Sequence, residues 1–210
     1  MPIRQKLVDL GDLFYYRILQ SELSGMNSVL DIGCGARSPL ADLKKTFYSV
    51  GVDIFEPSIR QSEKAKLHDE YILGDILKLK KILKQRKFDV VVALDIVEHL
   101  EKKDGWKLLE EMERVAKKKV IILTPYGFTQ QHPYEENPYQ IHKSGWYPEE
   151  FKKLGYQVYG MRGLRFIRGE CATIKYKPWF FWGIISSLSQ FVTFFFPSLS
   201  YQLIAVKNKS

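Results

Sequence analysis

The chain has 210 residues, 45% apolar and 27% charged, the makeup of an ordinary globular protein with enough length for one domain and a proper core. Its net charge of +8 fits anionic partners such as phosphates, acidic lipid or nucleic acid, and does not choose among them. Two cysteines, Cys34 and Cys171, exclude a disulfide framework and make a reducing, cytoplasmic setting the default.

The chain reads as a single unit over 1–210, with no internal repeat. Residues 1–24 carry scattered charges and predict a helix, not a signal peptide. Ser28 to Ile32 (SVLDI) predicts a strand ending at Gly33, and Pro39 to Phe47 is helix-like. Ser49 to Ile54 is a second strand, followed by a polar helix over Pro57 to Lys66 with proline in its first turn. Glu70 to Gly74 is a third strand, followed by Asp75, and Phe88 to Ile96 is a longer buried one. Asp104 to Lys117 places Trp106, Leu108, Leu109, Met112 and Val115 near helical spacing, with Asp104 as cap. The lysines of Lys44-Lys45, Lys78 to Lys87 and Lys117 to Lys119 read as solvated faces of surface helices. Val120 to Thr124 is a fifth strand, stopped by Pro125. Residues 126–146 form a long loop, of a length that compact domains reserve for binding or covering something. Pro148 to Leu154 is a helix closed by Gly155, and Tyr156 to Met161 a sixth strand. An apolar helix over 178–197 precedes a seventh strand at Tyr201 to Lys207.

Strands alternating with helices imply βαβ units: an α/β, Rossmann-like, mostly parallel sheet with helices on both faces. Ligands bind such sheets at the carboxyl ends of the strands, near the switch in strand order. Gly33, Gly35, Asp53, Asp75 and Asp95 all fall at such ends. Gly33 and Gly35 leave bare backbone for a ligand, although a tight turn without a ligand uses the same pair. Asp53, at the end of the next strand, can accept from ribose hydroxyls. Asp75 can accept from an adenine amine, and Ile76 offers the ring an apolar face. Each acid alone could cap the following helix; three successive strand ends make capping a poor account of all of them. A nicotinamide cofactor would favour a third glycine near its pyrophosphate, where this chain has Ser38 and Pro39. Asp31, before the first glycine, suits a ligand with an ammonium group; alternatively it is a buried acid satisfied by backbone donors.

These stretches resemble the class I S-adenosylmethionine-dependent methyltransferases. VLDIGCG is similar to the family's first motif, GVDIFEP to its second, YILGDI to its third and FDVVVALDIVEHLEK to its fourth, over Asn27 to Pro125. The resemblance implies S-adenosylmethionine as cofactor and a seven-stranded sheet whose last strand is antiparallel. It implies that Gly33 and Gly35 pass under the methionine part, that Asp53 holds ribose, and that Asp75 and Ile76 hold adenine. Asp31, Cys34, Ile54 and Asp95 join them as candidates for the same site.

Methyl transfer needs a nucleophile held in line and water kept out. A base helps when a hydroxyl or acid must lose its proton. His99, in DIVEHL, and His132 and His142, in the loop TPYGFTQQHPYEENPYQIHKSGW, are the catalytic candidates, each also open to a structural reading, His99 more than the other two. No Asp-Pro-Pro-Tyr or Asn-Pro-Pro-Tyr follows the fourth strand, which argues against methylation of an exocyclic nitrogen. The cysteines make no zinc pattern, so no metal is expected.

Pro178 to Val206 contains no charged residue. On a helical wheel Gly183, Ser186, Ser187, Ser189, Gln190 and Thr193 gather on one side. Phe181, Ile184, Ile185, Leu188, Phe191, Val192 and Phe195 gather on the other. Three readings compete: a membrane span, poor because of those polar residues; a helix packed on the sheet; or a helix lying in a membrane interface or walling a lipid-like acceptor. Trp179, Trp182, Lys175 and Lys177 would suit a headgroup boundary.

The sequence thus points to O-methylation of a small molecule or of a glycan or lipid precursor, with contact to a membrane surface through 178–197. An RNA methyltransferase and a non-catalytic cofactor-binding protein are the alternatives. Nucleic acid is disfavoured because basic residues are not interleaved with aromatics in one patch.

Overall fold

The structure is a computed structural model in which residues 10–131 and 137–209 are described. Seven strands form one sheet: β1 (Ser28–Ile32), β2 (Tyr48–Asp53), β3 (Glu70–Leu73), β4 (Phe88–Leu94), β5 (Ala116–Pro125), β6 (Gln157–Leu164) and β7 (Ser200–Asn208). Their spatial order is β3-β2-β1-β4-β5-β7-β6. β7 pairs antiparallel with both β5 and β6, and the remaining pairs are parallel. The order switches between β1 and β4, which places a crevice beyond their carboxyl ends.

Both faces of the sheet are covered, so the central strands are apolar throughout; all seven residues of β4 are buried. Leu30, Val50, Val91 and Ile122 pack with α3 (Leu79–Leu83), α4 (Lys102–Val115) and α5 (Pro148–Lys153). Val29, Val90, Val92 and Ile121 point the other way, onto Tyr15, Leu19 and Leu23 of α1 (Leu10–Leu23). The alternation follows from the two-residue period of a strand. The polar helix α2 (Glu56–Lys64) follows β2 as expected.

Three local expectations are corrected. Pro39 to Phe47 does not continue as a helix: it makes one 3-10 turn, Pro39–Asp42, and Leu43 is already extended. Gln20 of α1 accepts from the Lys44 N–H at 2.8 Å, taking a backbone group that a helix would need. Asp104 is not the cap of α4, which starts at Lys102 with Glu101 before it. Lys117 to Lys119 lie in β5 instead of on a helix; Lys118 meets Asp89 at 2.8 Å and Lys119 meets Glu22 at 2.6 Å.

The apolar segment forms α6 (Trp179–Phe195), beside the sheet's edge strand β6. An amphipathic helix ordinarily turns its apolar stripe to the core. α6 does the reverse. Ser186, Gln190 and Thr193 are fully buried, while Leu188 and Phe195 are 61% and 73% exposed. The cause lies in β6, where the chain bulges between Met161 and Leu164 and both Arg162 and Gly163 take positive φ. The bulge leaves backbone groups that need partners. Gln190 Oε1 accepts from the Gly163 N–H at 3.0 Å, and Gln190 Nε2 donates to the Gly160 carbonyl at 2.9 Å. Ser189 Oγ accepts from the Leu164 N–H at 3.1 Å. A Cβ at Gly160 or Gly163 would stand 2.1 Å from a helix carbonyl, so only glycine admits so close an approach. No helix among the described residues is long and apolar enough to cross a membrane.

Candidate active site

A cavity of about 800 Å³ opens at the carboxyl ends of the central strands. One end is the turn after β1. Gly33 and Gly35 both take positive φ, which side chains rarely adopt. At Gly33 a Cβ would strike Ile96 at 2.1 Å, whereas at Gly35 it would meet open space. Gly33 is therefore bare for packing, and Gly35 for access.

Asp53 ties the end of β2 to this turn. Its Oδ2 accepts from the Gly35 N–H and its Oδ1 from the Phe55 N–H, each at 2.8 Å. Burial pushes its carboxyl up, and these two bonds oppose the shift. Each oxygen keeps a lone pair for a ribose hydroxyl. Asp31 is buried and lines the cavity, but side chains satisfy it instead of the backbone donors considered above. Ser38 donates to Asp31 Oδ2 at 2.5 Å, and His68 Nε2 lies 3.3 Å away. Ser38, where a pyrophosphate binder would favour glycine, thus holds Asp31 and caps the 3-10 turn through the Leu40 N–H.

Cys34 lines the cavity; burial pushes its thiol up, so it offers no nucleophile at neutral pH. Asp75 and Ile76 stand after β3, outside the cavity wall. Asp75 caps the next turn through the Leu77 N–H at 3.0 Å and meets Lys78 at 3.1 Å. Ile76 packs on the core, and Ile54 is partly exposed after β2. Asp95 closes the wall at the end of β4, in left-handed conformation with φ 57°. Gln202 of β7 donates to its Oδ1 at 2.6 Å. Burial pushes the Asp95 carboxyl up, and the Arg162 charge opposes it.

The other end of the cavity is built by the loop after β5. Trp146 is fully buried, stacked on Phe151 with centroids 5.3 Å apart, and Lys102 Nζ lies 3.7 Å from its ring centre. Its Nε1 donates to Ser144 Oγ at 3.0 Å, and the Lys143 and Ser144 N–H groups donate to the Glu98 carbonyl. This anchor brings His142 against His99, with ring centroids 4.8 Å apart. Burial and the neighbouring His142 push His99 down to about 4, and burial also lowers His142. Both rings are neutral at neutral pH. Glu98, behind them, accepts from Thr124 Oγ1 at 2.8 Å. His132 lies outside the described residues. Sequence reasoning missed Ser38, His68, Arg162 and Gln202 as parts of this site; only the absent third glycine hinted at one of them.

The glycine turn, the acids at successive strand ends, and the reversed seventh strand are the features of the doubly wound methyltransferase fold. The family described as "Methyltransferase domain" matches residues 30–124. The fold is similar to a methyltransferase dependent on S-adenosylmethionine (SAM) from Archaeoglobus fulgidus, with 21% identity over 94% of this chain and 99% of that one, TM-score 0.56. It is also similar to magnesium protoporphyrin IX methyltransferase from Synechocystis PCC 6803 with bound SAM, with 15% identity over 96% and 78%, TM-score 0.54. The small RNA methyltransferase HEN1 shares 16% identity over 95% of this chain and 25% of that one, TM-score 0.61. No curated protein matches the sequence.

A methyltransferase family model thus spans β1 to β5, and the fold of the whole chain is similar to that of S-adenosylmethionine-dependent methyltransferases. The open Gly35, the buried acid Asp31 in the wall and the size of the cavity fit S-adenosylmethionine.

Proposed function

We propose that this methyltransferase acts on an oxygen of a glycan or lipid precursor presented at a membrane surface. One observation carries the acceptor side: the cavity runs from the glycine turn to the paired imidazoles of His99 and His142. Bound S-adenosylmethionine supplies a sulfonium methyl for in-line displacement. The residues of this chain do the rest. Gly33 and Gly35 admit the cofactor's methionine part beside Asp31, Asp53 takes the ribose, and the adenine passes beyond the cavity wall towards Asp75 and Ile76 at the next strand end. The 137–147 loop, held by Trp146, keeps water from the acceptor end. His99 and His142, both neutral, face an entering hydroxyl.

The outward face of α6 supports the membrane part. Phe180, Ile184, Leu188, Phe191, Val192 and Phe195 form one exposed apolar strip, which soluble surfaces rarely carry. Lys175, Tyr176, Lys177 and Trp179 are exposed just before it, the residue types of a headgroup boundary with anionic lipid. Methyl-labelled cofactor offered with lipid-linked glycans, free glycans and RNA tests the acceptor class. Label in the lipid or glycan fraction is expected; label in RNA alone would overturn the reading. Co-sedimentation with vesicles tests the membrane part: retention in the supernatant with neutral and anionic vesicles alike would remove it.

A further inference from the structure

We infer that Glu98, His99 and His142 form a site for one divalent first-row transition cation at the acceptor end of the cavity. One potential ligand atom from each lies within 4.8 Å of the others. A cation about 2.1 Å from each would need them roughly 3–4 Å apart, a closure of about 1 Å.

Three features leave a ligand atom available on each of these residues. Glu98 is 1% exposed, and with Oε2 taken by Thr124 its Oε1 is buried without a hydrogen-bond partner among the described residues. Such an orphaned oxygen is costly unless something binds it. Second, His142 Nδ1 lies 2.6 Å from the Thr129 carbonyl. A carbonyl only accepts, so the proton sits on Nδ1 and Nε2 presents its lone pair. Third, His99 Nδ1 stands in the same relation to the Ile141 carbonyl, at 3.3 Å. Imidazoles held by a carbonyl behind them are the usual way proteins orient metal ligands.

The donor set selects the ion class. Two imidazoles and one carboxylate suit manganese, iron, cobalt, nickel or zinc, whereas magnesium and calcium favour oxygen alone. The ligands come from a turn after β4 and a loop after β5, so no local spacing announces them. All three residues line the cavity, which leaves coordination positions open to it. An acceptor hydroxyl taking one of them would lose its proton to water more readily, leaving an oxygen lone pair free to attack. That last role rests on the oxygen-acceptor reading; cation binding does not.

The test is titration of the full chain with Co²⁺, Mn²⁺ and Zn²⁺, by calorimetry and by the visible ligand-field bands of Co²⁺. One equivalent should bind. Glu98→Gln and His142→Ala should each weaken binding at least about tenfold, with S-adenosylhomocysteine affinity kept. His99→Ala serves if Glu98→Gln does not fold. No saturable binding of any of the three ions at millimolar concentration would overturn the inference, as would unchanged affinity in the variants. S-adenosylhomocysteine binding on the same samples reports separately on the methyltransferase site.

Discussion

The Asp53 carboxylate accepts from the Gly35 N–H at 2.8 Å, so two neighbouring strand ends act as one unit. Asp53→Ala should fold and weaken S-adenosylhomocysteine binding by about 1.5–3 kcal/mol, the range for hydrogen bonds to a charged group. Calorimetry reads this directly; unchanged affinity in a folded variant would take Asp53 out of the site. Gly35→Ala would fold with a backbone penalty of roughly 1 kcal/mol and lose more in cofactor affinity than in stability.

Gln190→Leu makes a buried position more apolar and should nonetheless destabilise the protein. It strips partners from the Gly163 N–H and the Gly160 carbonyl. A cost of about 1–3 kcal/mol per orphaned group is expected, seen as a lower denaturation midpoint in urea. A neutral or stabilising result would show that the bulge finds other partners.

On the opposite side of α6, Leu188→Glu should leave the unfolding free energy within about 0.5 kcal/mol, because the side chain is exposed. The same change should cut recovery with anionic vesicles. Equal recovery for the wild type and this variant would dissociate the helix from lipid.

Acid should unfold the chain partly through two carboxylates. The Lys118 ammonium holds the Asp89 carboxyl below its usual range, and the Arg86 guanidinium, at 2.5 Å, does the same for Glu70. Both folded values lie below the unfolded ones. Their stabilisation is therefore complete above the ordinary carboxylate range, near pH 4–5, and is lost as pH falls through the folded values. Asp89→Asn should flatten the fall of melting temperature below about pH 4 relative to wild type. An identical slope would assign acid unfolding to other groups.

Trp146→Ala should cost about 3–5 kcal/mol, the range for deleting a buried aromatic side chain. It should also uncouple His142 from His99, which proton chemical shifts of the two rings would report.

What the sequence revealed of the site was what local spacing carries. Gly33, Gly35 and Asp53 stand close in the chain, and a strand end converts that spacing into a position. Asp31 was legible as a buried acid, but its partners Ser38 and His68 depend on how the next turn and strand pack. The contact between His99 and His142 was not legible, because it is made by Trp146 seating itself over Gly105, where a Cβ would stand 2.4 Å from the ring. The wheel of α6 separated two faces correctly, yet a wheel does not say which face packs. The missing signal lay in another strand: Gly160 and Gly163 on β6 answer the polar positions 186, 189, 190 and 193.

That arrangement separates two demands usually met by the same side chains. α6 is held by hydrogen bonds to main-chain atoms and by Phe191 and Phe194 against Phe14 and Tyr159, so its seat does not depend on Ile184, Leu188 and Phe195, which point outward. The outer strip is therefore free to drift in composition, widening, narrowing or acquiring charge, while the fold beneath it keeps its shape. Related chains could exchange the surroundings in which they work by changing that strip alone.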